Sequence, residues 1–162
     1  MKRNFMITMG LILTFASLTF AADMLKDGVN NEYYPDGKVK LTQNIKNGKL
    51  DGTVKAFYEG GSLKSESNFK NGKADGPYKA YYQDGTIQAE GQFKNDMKTG
   101  VNKIYYNNGK LMIEDNFKDG KLEGSKKVYD EEGRIRLEQS YNQGIFVSQK
   151  LFDLQGIVIA GK

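Results

Sequence analysis

Apolar and polar residues alternate along most of the chain, and short turn-like segments interrupt the alternation at regular intervals. Between Thr86 and Lys94, the side chains of Ile87, Ala89 and Phe93 fall on one face, and polar side chains fall on the other. A period of two residues predicts a β-strand with one covered face and one solvated face. The sequence therefore predicts an all-β protein whose sheet has two different faces.

Two turn signals separate the predicted strands. The first has the equivalent copies Asp36-Gly37, Gly60-Gly61, Asp84-Gly85, Asn108-Gly109 and Glu132-Gly133. The second has the equivalent copies Asn47-Gly48, Asn71-Gly72, Asn95-Asp96, Asp119-Gly120 and Gln143-Gly144. Asn-Gly and Asp-Gly favour the two positive φ angles of a type I′ turn. Both signals therefore predict tight hairpins with two-residue loops.

These signals recur with a period of 24 residues. The stretch from Ala56 to Lys79 is repeated without a gap at 80–103 and 104–127. A fixed period of this length indicates a repeat architecture. We interpret 32–144 as five 24-residue β-hairpin repeats and 145–162 as a partial repeat that caps the C-terminal end. The expected fold is an antiparallel β-hairpin meander, a solenoid-like single sheet.

Two-residue loops also predict which residues lie opposite each other. The first turn pairs Tyr82 with Ile87, and its copies give four opposite-charge pairs: Lys55 with Glu66, Lys79 with Glu90, Lys103 with Glu114 and Lys127 with Glu138. Cross-strand pairs of opposite charge support a register. The second turn pairs Ser65 with Tyr78, so the two turns together predict a stagger of two residues per repeat. Such a sheet is expected to coil or tilt.

One glycine in each long strand predicts a local distortion. These residues are Gly52, Gly76, Gly100 and Gly124. Glycine inside a strand usually marks a bend or a bulge. A bend at each of these places predicts a trough-shaped sheet.

The first 21 residues have a different character from the repeats. A basic start at Lys2 and Arg3 precedes a short apolar run, and small residues follow at Ala21 and Ala22. This order predicts a signal helix, a secretory signal peptide (1–21) that is cleaved after Ala21 or Ala22, followed by a lead-in (22–31). The alternative is an uncleaved membrane anchor, although the run is short for a spanning helix. The expected location is the periplasm, the medium or the cell surface.

Composition argues against most catalytic chemistry. The chain has no histidine and no cysteine, which excludes a Ser-His-Asp triad, a cysteine nucleophile and the usual zinc sites. Paired carboxylates are an alternative catalytic arrangement, but Glu66 and its copies recur in every repeat with a predicted lysine partner, as structural residues do. The spacings of phosphate-binding and calcium-binding loops do not occur. We expect no catalysis, no cofactor and no metal.

The charge balance gives little support for nucleic acid as a partner. Once Lys2 and Arg3 are removed with the signal peptide, 22 of the 24 basic residues remain against 20 acidic residues. Such a balance is weak attraction for a polyanionic backbone, and export makes nucleic acid an unexpected partner.

The repeat consensus resembles a known family. The pattern Tyr-Tyr-x-x-Gly-x-(Leu/Ile), followed by (Phe/Ile)-Lys-(Asn/Asp)-Gly-Lys-x-(Asp/Glu)-Gly, is similar to the MORN-repeat variant found in many bacterial proteins. The resemblance implies consecutive β-hairpins in one sheet, an "antitoxin" label that many such proteins carry, and contact with phospholipid or protein. The run from Asn95 to Thr99 departs from the pattern, and Ser148 replaces the final glycine of the fifth copy.

Equivalent residues of successive repeats form columns across the predicted sheet. One aromatic column lies on the face of the Lys–Glu pairs, with basic residues opposite some members, and we take both sets as candidate binding residues: Tyr33, Phe57, Tyr81, Tyr105, Tyr129, Lys40, Lys64 and Arg136. A second column lies on the apolar face: Tyr34, Tyr58, Tyr82 and Tyr106. Packing of rings and lysine stems explains such columns. The functional interpretation is a groove for a peptide or glycan, and exposure of the first column decides between them.

A row of lysines follows the second turns: Lys46, Lys70, Lys94 and Lys118, with Lys49, Lys73 and Lys121 beside them. Solvation and protection of the sheet explain such a row. The alternative is attraction to anionic lipid or cell-wall polymer, which Asp51, Asp75 and Glu123 weaken.

Three functions are compatible with these observations. The first is an exported, non-catalytic binding module for a protein or an extended polymer of the cell envelope, with membrane-surface contact as a further option. The second is an antitoxin or immunity-type protein that neutralises a toxin. The third is a structural component of the envelope. The sequence leaves the ligand and the oligomeric state open.

Overall fold

The computed structural model describes residues 26–161, and the predicted signal peptide lies outside them. The described part consists of β-strands joined by turns, without a helix. Among these residues there is accordingly no helix long and apolar enough to cross a membrane. The strands are β1 (Gly28–Tyr33), β2 (Val39–Lys46), β3 (Lys49–Leu50), β4 (Gly52–Phe57), β5 (Leu63–Lys70), β6 (Lys73–Tyr81), β7 (Ile87–Lys94), β8 (Met97–Tyr105), β9 (Leu111–Lys118), β10 (Lys121–Tyr129), β11 (Ile135–Asn142), β12 (Ile145–Phe152) and β13 (Val158–Gly161).

The strands form one open antiparallel sheet in which neighbours in sequence are neighbours in space. The short β3 pairs with β2 beside the main path. The predicted all-β hairpin meander is therefore confirmed. The outer strand β1 begins inside the segment expected to be a lead-in, and β12 and β13 continue the hairpin pattern through 145–161.

The second turn of each repeat is the type I′ turn that the sequence predicts. Asn71 and Gly72 have φ angles of 51° and 83°, and the other copies also have positive φ at both positions. Even Asn95-Asp96 adopts this conformation, with φ angles of 49° and 67°. Asn and Asp tolerate the left-handed region because their short polar side chains make local hydrogen bonds.

The first turn differs from the prediction. At Asp84-Gly85 only the glycine has a positive φ, of 89°. The Gly85 N–H donates to the Tyr82 carbonyl at 3.0 Å, and the Tyr82 N–H donates to the Thr86 carbonyl at 2.8 Å. This is a type I turn followed by a left-handed glycine, in a three-residue loop. The prediction of a two-residue loop is therefore wrong, and Tyr81 instead of Tyr82 lies opposite Ile87.

The predicted Lys–Glu register is confirmed, but the predicted stagger is wrong. Lys79 lies opposite Glu90, and the equivalent lysines of three other repeats lie opposite the equivalent glutamates. On its other side, Lys79 lies opposite Glu66, because the register of β5 and β6 shifts by two residues between Phe69 and Ser67. That bulge contains Gly76, with φ of 121°. The bulge cancels the two-residue stagger that the turns were predicted to produce. The reason for expecting the sheet to coil is therefore absent.

The apolar face carries the core of the sheet. Tyr78, Ala80 and Ala89 are buried and contact one another, and Phe93 and Ile104 pack against them. These five residues lie on the face that the alternation predicts. Because the stagger is absent, one row runs straight across the strands and places Ala80, Ala89 and Ile104 side by side.

Tyrosine hydroxyls of the second aromatic column link each repeat to the next. Each hydroxyl donates to a main-chain carbonyl 23 residues later, at 2.7–2.8 Å: Tyr34 to Phe57, Tyr58 to Tyr81, Tyr82 to Tyr105 and Tyr106 to Tyr129. The acceptor in every case is a member of the first column. The two columns therefore join consecutive hairpins, as expected where each repeat is stabilised by its neighbours.

Candidate functional site

Most side chains of the first aromatic column pack against their neighbours in the sheet. Tyr33 is 57% exposed, whereas Phe57, Tyr81, Tyr105 and Tyr129 are half-buried. The exposure of these rings decides between a binding groove and packing within the sheet. With one open ring among five, the column resembles a packed spine more than a continuous binding groove.

Two members of this column also hydrogen-bond to the charged residues of the same face. The Tyr81 hydroxyl donates to Glu66 Oε1 at 3.1 Å, and the Tyr105 hydroxyl donates to Glu90 Oε1 at 2.7 Å. Burial, together with the hydrogen bond to Glu90, raises the pKa of Tyr105 to about 12. These phenols are therefore protonated donors at neutral pH, and their hydrogen bonds hold the glutamates in place.

The basic candidates are not the direct register partners of the aromatic column. The residues opposite Tyr33, Phe57 and Tyr129 are Val39, Leu63 and Ile135. The register then skips one residue, which leaves Lys40, Lys64 and Arg136 as the extra residues of β-bulges. The loop of three residues causes this difference, because it moves the first pair of each hairpin by one position.

Each bulge residue has its own surroundings. Lys40 Nζ lies 4.0 Å from Glu32, and Lys64 Nζ lies 5.5 Å from the centre of the Tyr58 ring. Arg136 is half-buried, and its Nη1 atom is buried without a hydrogen-bond partner. The eight candidate residues therefore do not converge on one groove.

A continuous charge ladder crosses the solvated face instead. Its members alternate in sign on successive strands: Lys55, Glu66, Lys79, Glu90, Lys103, Glu114, Lys127, Glu138 and Lys150. Lys79–Glu90 and Lys103–Glu114 are ion pairs of 3.9 Å. An open depression of about 400 Å³ lies beside the ladder, bordered by Pro77, Gln92 and Val101. Because each charge has neighbours of opposite sign, the ladder carries little net attraction for a charged ligand.

The second turns present a different surface, which we call the lysine edge: Lys46, Lys49, Lys70, Lys73, Lys94, Lys118 and Lys121. All seven side chains are exposed. Lysine lies directly opposite lysine beside three of the turns, at 46/49, 70/73 and 118/121. Within residues 26–161, the six lysines of these three pairs form no ion pair. The seventh, Lys94, forms one with Asp75 at 3.0 Å. Neighbouring turns are two strands apart, or roughly 10 Å.

Two of the acidic residues at this edge hold the turns together. Asp51 Oδ2 accepts a hydrogen bond from the Asn71 N–H at 3.1 Å, and Glu123 Oε2 accepts one from the Gln143 N–H at 2.7 Å. The carboxylates are thus directed at main-chain donors of the following turn. Among the described residues, neither of these two carboxylates forms an ion pair with a lysine, whereas Asp75 pairs with Lys94.

A polar cluster on the apolar face was not predicted from the sequence. Asp115 faces Lys126 with 3.7 Å between Oδ1 and Nζ, and Asp115 Oδ1 has no hydrogen-bond partner. Lys98 Nζ lies 5.9 Å from the Tyr78 ring centre and 5.3 Å from that of Phe117. Burial raises the pKa of Asp115, and burial lowers the pKa of Lys98.

The hydrogen bonds of this cluster span a glycine. The Tyr78 hydroxyl donates to Asn102 Oδ1 at 2.9 Å, across the strand that contains Gly91. Burial, and then the nearby charge of Asp115, raise the pKa of Tyr78 to about 12. The repeat itself contained the signal: positions 50, 74 and 122 are Leu, Ala and Leu, whereas the equivalent position 98 is Lys.

Taken together, the in-register hairpins and their tyrosine links define a β-hairpin repeat protein. A family model described as "MORN repeat variant" matches residues 26–47, 50–71, 74–95 and 98–119, which is more than half of the chain. The chain belongs to this family, as its repeat consensus predicted. Among curated proteins, no match is found.

Each family match begins 24 residues after the previous one and centres on a first turn. The family unit is therefore the hairpin around Asp84-Gly85 and its copies. Beyond the last match, β10 and β11 pair in the same register, with Lys127 opposite Glu138. No group of three or more acidic side chains that is able to hold a metal ion occurs in the part of the chain that the structure describes.

Proposed function

We propose that this protein is an exported, non-catalytic binding module that holds an extended anionic polymer of the cell envelope along its lysine edge. The observation that supports this proposal is the set of three lysine–lysine pairs beside the second turns. Like charges directly opposite each other destabilise a sheet. These pairs lie on the same solvated face as the charge ladder, where each cross-strand step of the ladder joins opposite charges. An anionic partner would turn the cost of the lysine pairs into attraction.

The arrangement of the lysines favours a linear partner. They lie in one line along the turns, with a step of roughly 10 Å between hairpins. A long chain with regularly spaced negative groups can contact every step, and the contacts then add by multivalency. An acidic face on a compact protein would reach only part of such a line.

A membrane surface is the second candidate, and two apolar residues favour it. At the lysine positions, Met97 is 42% exposed and Ile145 is 71% exposed. Apolar side chains beside basic ones are typical of proteins that dock on anionic lipid. The binding experiment therefore includes vesicles as a separate arm.

Sedimentation with isolated envelope polymer tests the proposal. The double variant Lys70→Gln/Lys73→Gln removes one lysine pair, and Lys110→Gln/Lys150→Gln removes the same charge from exposed positions elsewhere. Each lysine near an anionic surface contributes roughly fivefold in affinity, so the first variant should bind at least tenfold more weakly and depend less on salt. Equal binding of the two variants would refute the lysine edge as the site. Preference for anionic vesicles, or for nucleic acid, would replace the polymer as the partner.

Export is tested separately, by cell fractionation and N-terminal sequencing. A mature start at Ala22 or Asp23 in the periplasm or medium supports the proposal. An intact Met1 in the cytoplasm would contradict it and favour the antitoxin function, whereas an intact Met1 in the membrane would indicate an anchored module. Deletion of the gene, with its neighbouring genes examined as well, then tests the toxin-neutralising function. The absence of any growth or competition defect would contradict that function.

A further inference from the structure

The C-terminal part of the sheet exposes a concentration of large apolar side chains. We call it the apolar end, and its members are between 42% and 71% exposed: Ile145, Phe146, Val147, Leu154, Ile157, Val158 and Ile159. Only four other large apolar residues of the described chain are comparably exposed, and they are scattered. Leu154, Ile157, Val158 and Ile159 lie in or beside β13, whereas Ile145–Val147 lie at the other end of β12, beyond the residues that pair with β13. Exposed apolar surface of this kind marks an interaction site.

Both faces of the sheet are apolar at this end. Successive side chains of a strand point to opposite faces. The consecutive run Ile145–Val147 on β12, and the run from Ile157 through β13, therefore place apolar groups on each face. A partner that covers this end must contact both faces and the main-chain edge between them.

The two outer strands of the sheet are protected to different degrees. In β13 all four residues are exposed and none is charged, and within residues 26–161 no strand pairs with its outer side. In β1 the Asn30 side chain donates to the carbonyls of Lys26 and Gly28, at 2.7 and 3.2 Å. Proteins protect a sheet edge with short strands, charges or local capping. The four residues of β13 make a short strand, but in the described chain they carry neither a charge nor a side-chain cap.

The device that joins one repeat to the next is also missing here. The positions of the linking tyrosines are taken by Asp130 and Asp153 in the last two hairpins. Asp153 Oδ1 accepts hydrogen bonds from the N–H groups of Gln155 and Ile157, at 2.9 and 2.8 Å, and so caps its own turn. A further unit at this end would be held by main-chain hydrogen bonds and apolar contact alone.

We propose that a second copy of the chain adds its β13 antiparallel to β13 of the first and continues the sheet across a two-fold axis. A two-fold interface brings the same surface from both copies, and an uncharged apolar edge is complementary to itself. The antiparallel direction continues the pairing of every other strand in the sheet. Head-to-tail pairing with β1 would instead bury Asn30, Asn31 and Glu32 against the apolar end, which is unfavourable.

Concentration-dependent mass, measured by analytical ultracentrifugation on protein purified after expression of the full chain, tests this proposal. Lysine at an edge blocks strand addition, so Ile159→Lys should weaken the dimer at least tenfold. Val101→Lys is the matched control, because Val101 is similarly exposed in the middle of the sheet, and it should leave the dimer unchanged. A monomer at all concentrations, or equal effects of the two variants, would overturn the proposal.

Single cysteines provide a test that does not depend on the stability of a charged variant. The chain has no cysteine, so each introduced thiol is unique. Mild oxidation should link two copies of one of the variants Val158→Cys, Ile159→Cys or Ala160→Cys and should not link Val29→Cys. A disulfide formed between Ile159→Cys and Val29→Cys in a mixture would show head-to-tail assembly and refute the two-fold arrangement. Because the lysine edge is not involved, the double variant Lys70→Gln/Lys73→Gln should dimerise normally.

Discussion

Replacing Tyr82 by phenylalanine tests whether the tyrosine links hold the repeats together. The substitution keeps the ring and removes the hydroxyl that donates to the Tyr105 carbonyl at 2.7 Å. A typical intramolecular hydrogen bond contributes about 1 kcal/mol to stability. We therefore expect Tyr82→Phe to lower the free energy of unfolding by about 1 kcal/mol and the melting temperature by roughly 4 °C.

The repeat supplies both replicates and a control for this prediction. Tyr34→Phe, Tyr58→Phe and Tyr106→Phe remove equivalent hydrogen bonds and should have similar effects. Tyr33→Phe is the control, because its hydroxyl is largely exposed and accepts only a 3.4 Å contact from Asn31. Urea unfolding followed by circular dichroism measures each variant.

The outcome that contradicts this reasoning is clear. If Tyr82→Phe and Tyr33→Phe have the same free energy of unfolding, the links do not stabilise the array. Variants at sites far apart should add, so Tyr34→Phe/Tyr106→Phe should cost about 2 kcal/mol. A much larger loss would mean that the array unfolds from its ends once one link is broken.

Three further predictions concern the polar cluster of the apolar face. An alanine Cβ at Gly91 would clash with the Asn102 side chain, so Gly91→Ala should lower the free energy of unfolding by about 1–3 kcal/mol, whereas Gly60→Ala, with open space around it, should change it little in the same urea titration. Lys98→Leu restores the apolar residue of other repeats and should raise the unfolding free energy by about 1 kcal/mol; an unchanged midpoint would contradict the cost assigned to burying this amine. Burial raises the pKa of Asp115 above 3.8, so the folded chain binds that proton more tightly than the unfolded chain does. The stabilisation that the bound proton gives is fully present below pH 3.8, and it is lost as the pH rises through the raised pKa of the folded state. The wild type should therefore lose stability relative to Asp115→Asn over that range, and a pH-independent difference would refute the assignment.

The fold was predictable because the repeat presents the same evidence several times. Alternation, turn dipeptides and the pairing of Lys79 with Glu90 all indicated one register, and the structure confirms it. Asp84-Gly85 misled for a physical reason. The dipeptide fits the centre of a two-residue loop, and it equally fits the end of a three-residue loop in which only the glycine needs a positive φ. Local composition does not distinguish these loops.

The absence of stagger could not be predicted from the sequence. A glycine can indicate where a bulge occurs, but it does not indicate how many extra residues the bulge contains. Gly76 marked the place of a distortion, but the two extra residues between Phe69 and Ser67 in the register follow from packing across several strands. A shift in register also changed the predicted positions of the candidate binding residues. One residue of difference at the first turn moved Lys40 and its copies from positions opposite the aromatic column into bulges.

The repeat also provides an internal comparison that separates structure from function in this chain. Residues that recur with the same hydrogen bonds, such as Tyr58 and Tyr82, are explained by the stability of the array. Recurring residues that oppose stability need another explanation, and the lysine pairs at the second turns are of this kind because like charges face each other in three hairpins. Like charges directly opposite each other lower the stability of a sheet. We propose that their repetition reflects a partner that spans several hairpins, and replacing one pair at a time should then weaken binding in equal steps.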